Sequence, residues 1–403
     1  MASVLLFLTY LAVLLLIGIL ISIISGKLKF QNALLLIWVG IILGNIIYKN
    51  APLIWFPDLF LSSISILALV MIVFDSSIRF KLRELNVLSL NTLGLSAIFL
   101  IFNMIFLSLS LILIFDIDSI FLALIFSALM SGTDPGAVLS MLSGVKSRVF
   151  ELLKLESLLN TPLTVLLPFI ILDLARSLKG KIIISEFIGQ IAPFLQQFVV
   201  GIGAGVLVGL IMLKFMKKEY SKVLSPLTMI TAALLTYIIA ENLKGNGVLA
   251  VTTMGLLFGN VYLKQKFQLQ EFSLIFSNSL EILVFILIGL VIEIPPQRDF
   301  FIKSLGLFLI YLVIRFFSIY VSLRKLKFNF KEQIFMALNV QKGIAVVVVA
   351  LSLANLNIEG MQIILNLSLV FILYSIILST VIIRFSKFFV DIGAQKTDLK
   401  RRL

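Results

Sequence analysis

Two stretches decide how this chain is read: Ser131-Gly132-Thr133-Asp134-Pro135-Gly136 and Glu156-Ser157-Leu158-Leu159-Asn160-Thr161-Pro162. Each lies inside an apolar run of bilayer-crossing length. Each also carries carboxylates, hydroxyls or amides that hydrocarbon tolerates only with a partner or an ion beside them. A proline in each stretch removes a backbone donor and loosens the helix, freeing carbonyls that can act as ligands. The two stretches therefore predict a pair of broken or weakened membrane helices around an ion site.

The surrounding composition fits that setting. Of 403 residues, 61% are hydrophobic and 13% charged, against about 25% charged in a typical soluble domain. The fold class is an all-α polytopic membrane protein. The first apolar run, Ser3 to Ile24, lacks a basic leader and a small-residue cleavage site, and so reads as a retained helix. The absence of cysteine and histidine excludes thiolate chemistry, imidazole metal sites and the usual proton switch, leaving proton traffic to carboxylates. No nucleotide-binding loop or paired protease-like aspartates occur, so an enzyme is not expected, nor is a cofactor. The formal charge of +13 would suggest a nucleic-acid partner in a soluble chain, but here it follows membrane topology.

Thirteen apolar runs mark that topology: Ser3–Ile24, Ala33–Tyr48, Leu59–Ile78, Ser89–Ile114, Ile120–Leu142, Leu152–Leu172, Phe194–Met216, Leu224–Leu243, Val248–Leu263, Phe272–Ile292, Phe300–Leu323, Gln333–Ala354 and Met361–Ile383. With the amino terminus outside, the inner loops hold sixteen Lys and Arg residues and the outer loops seven, as the positive-inside rule requires. A missed or invented helix would scramble that alternation from its position onward. The chain is thus expected in the cell membrane with a cytosolic carboxyl terminus. Its divisions are a first repeat over 1–173 with the ion site on helices five and six, a linker helix within 174–222, a second repeat over 223–388 and a short cytosolic tail, 389–403.

At about 1.5 Å per residue, Asp134, Asn160, Thr161 and Lys342 fall near the midplane, with Glu156 and Arg315 closer to the cytosol. A breakable run carrying an anion in the first half and one carrying a cation at Lys342-Gly343 in the second is the pattern of an inverted-repeat transporter. Gly201, Gly205 and Gly209 give the seventh run a close-packing face, read as ordinary helix packing. Asp75 either caps the third run beside Arg79, Lys81 and Arg83 or reaches an ion through a cytosolic funnel. Glu281 has no motif around it and reads as a packing or loop-bonding acid.

The chain resembles the NhaP-type sodium/proton antiporters of the cation:proton antiporter superfamily over nearly its whole length. Thr133-Asp134-Pro135, Glu156-Ser157 with Asn160, Gly247-Val248-Leu249-Ala250-Val251 with Gly255, Gly259 and Asn260, and Arg315 carry the likeness. Gln341-Lys342-Gly343 stands where the family has arginine-glycine, and Phe74-Asp75 where many members have Phe-Glu. The resemblance implies thirteen helices, inverted repeats with two crossed discontinuous helices, a homodimer, and a structural ion pair of Glu156 with Arg315. It further implies exchange of Na⁺, or of K⁺ or Li⁺, for H⁺ by alternating access, of the electroneutral kind.

One position departs from the family. The aspartate that follows the asparagine in the family, binding cation and proton in turn, is here Thr161, which offers a neutral oxygen and cannot carry a proton. The expected cation ligands are Thr133, Asp134, Ser157, Asn160, Thr161 and Asp75, with Glu156, Arg315 and Lys342 compensating charge and helix dipoles. A dehydrated monovalent cation asks for about five or six hard oxygens, and this set supplies most of them. Two functions remain open at this point. Another carboxylate performs the exchange, or the chain is an uncoupled cation uniporter, a channel-like conductor or a transport-impaired homologue.

Overall fold

The computed structural model describes residues 2–28, 31–48, 51–79, 87–134, 148–177, 184–218, 224–261, 266–291, 295, 297–326, 328–354, 356 and 358–390. Described helices fall at each of the thirteen apolar runs. They are α1 (Ala2–Leu28), α2 (Asn32–Gly44), α3 (Asp58–Ile78), α4 (Val87–Phe102), α5 (Ser108–Phe115), α6 (Ile120–Leu129), α7 (Arg148–Ser177) and α8 (Ile184–Lys218). They continue as α9 (Leu224–Asn242), α10 (Gly247–Asn260), α11 (Lys266–Val291), α12 (Arg298–Ser322), α13 (Phe330–Leu338), α14 (Ile344–Ala354), α15 (Met361–Arg384) and the short α16 (Ser386–Phe389). A two-residue hairpin pairs Ile47–Tyr48 with Ala51–Pro52 between α2 and α3. Among the described residues, eight helices are long and apolar enough to cross a bilayer unaided.

Three passes are irregular. The fourth contains a π-helical segment, Asn103–Leu107, between α4 and α5. In the fifth, α6 ends at Leu129 and residues 130–134 follow without helix; the rest of that run, 135–142, lies outside the described residues. The twelfth run, continuous in hydropathy from Gln333 to Ala354, is interrupted between α13 and α14.

The sixth pass corrects an expectation. Pro162 is expected to break or weaken its helix; it does not break it, since α7 runs without interruption from Arg148 to Ser177. Its neighbours α3, α4, α6 and α14 pack along it, and such packing tolerates the one backbone bond a proline forfeits. The second break therefore belongs to the twelfth pass.

Helix contacts away from the breaks rely on small residues, as expected where lipid is as apolar as leucine and association rests on close fit. The glycine face of α8 lies on α10, where a Cβ added at Gly201 would come 2.8 Å from the Asn246 carbonyl and one at Gly209 3.1 Å from Leu257 Cδ1. At Gly205 an added Cβ would overlap the Ala250 carbonyl and stand 2.8 Å from Thr253 Cβ. Gly205→Val is accordingly expected to destabilise the fold by about 1–3 kcal/mol through overpacking. The effect is readable as a lower thermal unfolding midpoint in detergent; an unchanged midpoint would contradict this packing.

Candidate functional site

The site grows out of the way α6 stops. Its last turn tightens, with the Met130 amide donating to the Phe126 carbonyl, Ser131 to Ala128 at 3.1 Å and Gly132 to Leu129 at 3.3 Å. The carbonyls of Met130 and Gly132 then point beyond any helical donor, which hydrocarbon does not forgive. Lys342, fully buried between α13 and α14, meets both: Nζ donates to Met130 O at 2.5 Å, to Gly132 O at 2.9 Å and to Tyr311 Oη at 2.5 Å. An ammonium has three protons to give, and all three are engaged. A cation at the carbonyl end of a helix also offsets the negative pole of its dipole.

The two breaks are joined directly, with the Asp134 amide donating to the Gln341 carbonyl at 2.8 Å. On the far side the Lys342 amide donates to Ser375 Oγ of α15 at 3.2 Å. The Asp134 carboxylate does not take up the three donors of Lys342. It lies against Gly343, where an added Cβ would stand 2.6 Å from Asp134 Oδ2, so only glycine admits the acid there. Gly343 immediately precedes α14, whose N-terminal dipole favours the negative charge.

Thr133 and Asn160 are both buried and face one another, Asn160 Nδ2 donating to Thr133 Oγ1 at 2.8 Å. This orients the amide and leaves Asn160 Oδ1, also buried, without a hydrogen-bond partner. The Asn160 carbonyl accepts from Thr164 Oγ1 at 2.9 Å. Thr161 sits in the helical backbone of α7, and its side chain lies outside the described residues.

Glu156 and Arg315 form a two-pronged pair, Nη1 to Oε1 at 2.5 Å and Nη2 to Oε2 at 2.6 Å, with both side chains 0% exposed. The guanidinium stacks 4.6 Å from the Phe99 ring centroid. Tyr311, which serves Lys342, packs among Phe99, Phe308 and Phe371. Both buried cations thus sit in one aromatic box whose ring faces attract positive charge.

Beside the breaks opens a cavity of about 190 Å³. Of the expected ligands it takes in Thr133, Asp134, Ser157 and Asp75, together with Thr164 and Glu281. Asp75, nearly buried, is held by Arg79 one turn along α3, Nε to Oδ2 at 3.0 Å and Nη2 to Oδ1 at 3.1 Å. Asp75 thus pairs with an arginine at the basic end of its helix and also lines the cavity. Among the described residues no three acids converge tightly enough to hold a metal ion between them. Any ion here would draw on hydroxyls and carbonyls as well as carboxylates.

Reasoning from sequence missed three contributors. Asn103, completely buried in the π-helical segment, donates to Ser131 Oγ at 3.2 Å and so braces the break from the fourth pass; a lone amide in an apolar run was its only signal. Tyr311 gave no signal beyond being a tyrosine in a membrane helix. Glu281, taken for a packing acid, lines the cavity.

Against known proteins, the model of the sodium/hydrogen exchanger family, transmembrane region, matches residues 11–386. A K⁺/H⁺ antiporter, NhaP2, of Shewanella sp. strain ANA-3 is 24% identical over 259 residues, covering 63% of this chain and 45% of that protein. A Na⁺/H⁺ antiporter, NhaH, of Halobacillus aidingensis is 30% identical over 269 residues, covering 63% of this chain and 65% of that one. The chain thus spans about half the length of the NhaP2 relatives it matches. The solved structure of the sodium proton antiporter MjNhaP1 from Methanocaldococcus jannaschii at pH 8 superposes with a TM-score of 0.78 at 20% identity, over 94% of this chain and 97% of that one. The likeness establishes the same fold, an all-helical membrane bundle with discontinuous passes.

The Glu156–Arg315 pair gives a direct test of the geometry. Glu156→Gln or Arg315→Met alone leaves a bare charge in the core and is expected to cost about 3–5 kcal/mol. The double substitution should cost less than the two single losses together. A thermal-unfolding double-mutant cycle in detergent measures the coupling, and additive losses would contradict the pairing.

Proposed function

We propose, from the premise that this chain belongs to the sodium/hydrogen exchanger family, that it is a secondary transporter exchanging a monovalent cation for protons by alternating access. The cation is Na⁺, K⁺ or Li⁺. One observation carries the reading: the irregular segments after α6 and before α14, which the sequence places near mid-depth, are joined to each other beside a carboxylate-lined cavity. Irregular backbone at that depth is tolerated where it lines a cavity or is buried in protein, and joined broken helices are the hallmark of ion sites in inverted-repeat transporters.

In this reading the cation is held by Thr133, Asp134, Ser157 and Asn160, with Thr161 adding a neutral oxygen and Asp75 at the entrance. The unpartnered Oδ1 of Asn160 supports a ligand role for that residue, because a buried acceptor left unmade is costly unless something intermittently satisfies it. Glu156, Arg315 and Lys342 hold the scaffold and take no part in exchange. The cavity lies beside Asp75, Ser76 and Arg79 near the carboxyl end of α3. With the amino terminus outside and the tail cytosolic, that end faces the cytosol, so the cavity is the cytosolic access path. The two repeats, 1–173 and 223–388, move against one another around the site, and the protein works as a homodimer embedded in lipid.

A second reading rests on Thr161. With a neutral residue where the family has an acid, the same fold would conduct cations without proton counterflow. Purified protein in liposomes separates the two. Coupled exchange is expected to collapse an imposed pH gradient when Na⁺, Li⁺ or K⁺ is added, independently of membrane voltage. Cation flux that follows an imposed voltage and leaves the pH gradient standing would replace exchange with conduction.

A further inference from the structure

Exchange requires an acid that gives up its proton when the cation arrives, and Thr161 cannot be that group. Three carboxylates line the cavity, and they differ in how their charge is balanced. Asp75 is chelated by Arg79 through two contacts. Asp134 lies on Gly343 at the positive end of α14. Glu281, half-buried on α11, has no hydrogen bond or ion pair to its carboxylate among the described residues. It lies ten residues, about 15 Å, from the end of its helix, too deep for the short glutamate stem to reach water past the bilayer surface.

Other charges do not fill the gap. Packed against α11 are α1, α2, α3, α9 and α14. Neither α2 nor α14 carries a titratable side chain; α1 brings Tyr10 and Lys27, and α9 brings Tyr237 and Glu241, none of which lines the cavity. The groups that share the cavity with Glu281 are Asp75, Arg79 and Asp134. Arg79 is committed to Asp75, and Lys342 has spent its three protons on carbonyl and phenol oxygens. Two carboxylates that share one cavity repel each other, and each calls for a counter-ion when charged. Among the described residues no further charge is left to balance Glu281, which leaves what enters the cavity, a proton or a cation.

We propose that Glu281 is the exchanging acid of this chain, alternately protonated and paired with the transported cation. This deepens the antiport reading and rests on it. The step balances one for one: the cation enters, the Glu281 carboxyl releases its proton to water in the cavity, and the carboxylate neutralises the cation. Reprotonation on the opposite-facing side expels the cation, so each cycle moves no net charge.

The test uses the full chain in liposomes with Na⁺ and K⁺ as probes, following the pH gradient and the pH dependence of the apparent cation affinity. In the unsubstituted chain, affinity should weaken as pH falls, because protons compete. Glu281→Gln should abolish exchange to the level of protein-free vesicles, and Glu281→Asp should retain it with a displaced pH profile. Adding Thr161→Asp to Glu281→Gln should restore exchange, which a merely misfolded variant would not permit. If Glu281→Gln exchanges with unaltered pH dependence, or if Asp75→Asn or Asp134→Asn abolishes that dependence while Glu281→Gln keeps it, the inference fails and antiport stands. A loss that Thr161→Asp does not reverse assigns Glu281 to packing and also overturns it. Absence of exchange in the unsubstituted chain overturns the antiport reading and this inference together.

Discussion

The arrangement depends on a single ammonium. Interrupting a helix inside a bilayer exposes carbonyls that no water can satisfy, and each would cost several kcal/mol if left alone. Lys342 answers two of them and Tyr311 with its three protons. Because the lysine belongs to the other interrupted pass, each break is stabilised by residues of its counterpart. Removing the cation would strand the carbonyl end of α6; closing either break into a regular helix would strand the cation. The interruption is thereby a stable element of the fold.

Charge in the interior is managed in two distinct ways. Glu156 and Arg315 meet face to face, two nitrogens on two oxygens with an aromatic face over the guanidinium. The acids around the cavity have partial compensation, by an arginine on the same helix for Asp75 and by a helix pole for Asp134. The difference separates a buried, two-pronged pair from acids that line a cavity.

Much of this was legible in the chain. Hydropathy and the distribution of lysine and arginine gave the passes because the bilayer imposes length and sidedness on any spanning segment. Thr133-Asp134-Pro135 announced the first break because its polarity has no other use at that depth. Pro162 misled because a missing donor weakens only one backbone bond, and whether a helix yields there depends on neighbours that the local sequence does not reveal. The break before Gly343 was half legible, since the lysine and glycine were visible but the carbonyls they serve lie more than two hundred residues earlier. Glu281 and Asn103 stayed hidden for a like reason. A lone polar residue in an apolar run declares that it needs a partner without saying which.

The π-helical segment at Asn103–Leu107 carries a consequence of its own. A wide turn of this kind accommodates one more residue than a regular helix over the same rise. The extra residue is absorbed inside the turn, so α4 and α5 keep their facing while Asn103–Leu107 leaves regular helical register. Deleting one of the five would restore ordinary winding and draw Asn103 from the place where it donates to Ser131 Oγ, while Phe99 on α4 would keep its place over the Arg315 guanidinium. The fourth pass is thus constrained in its residue count more than in its composition.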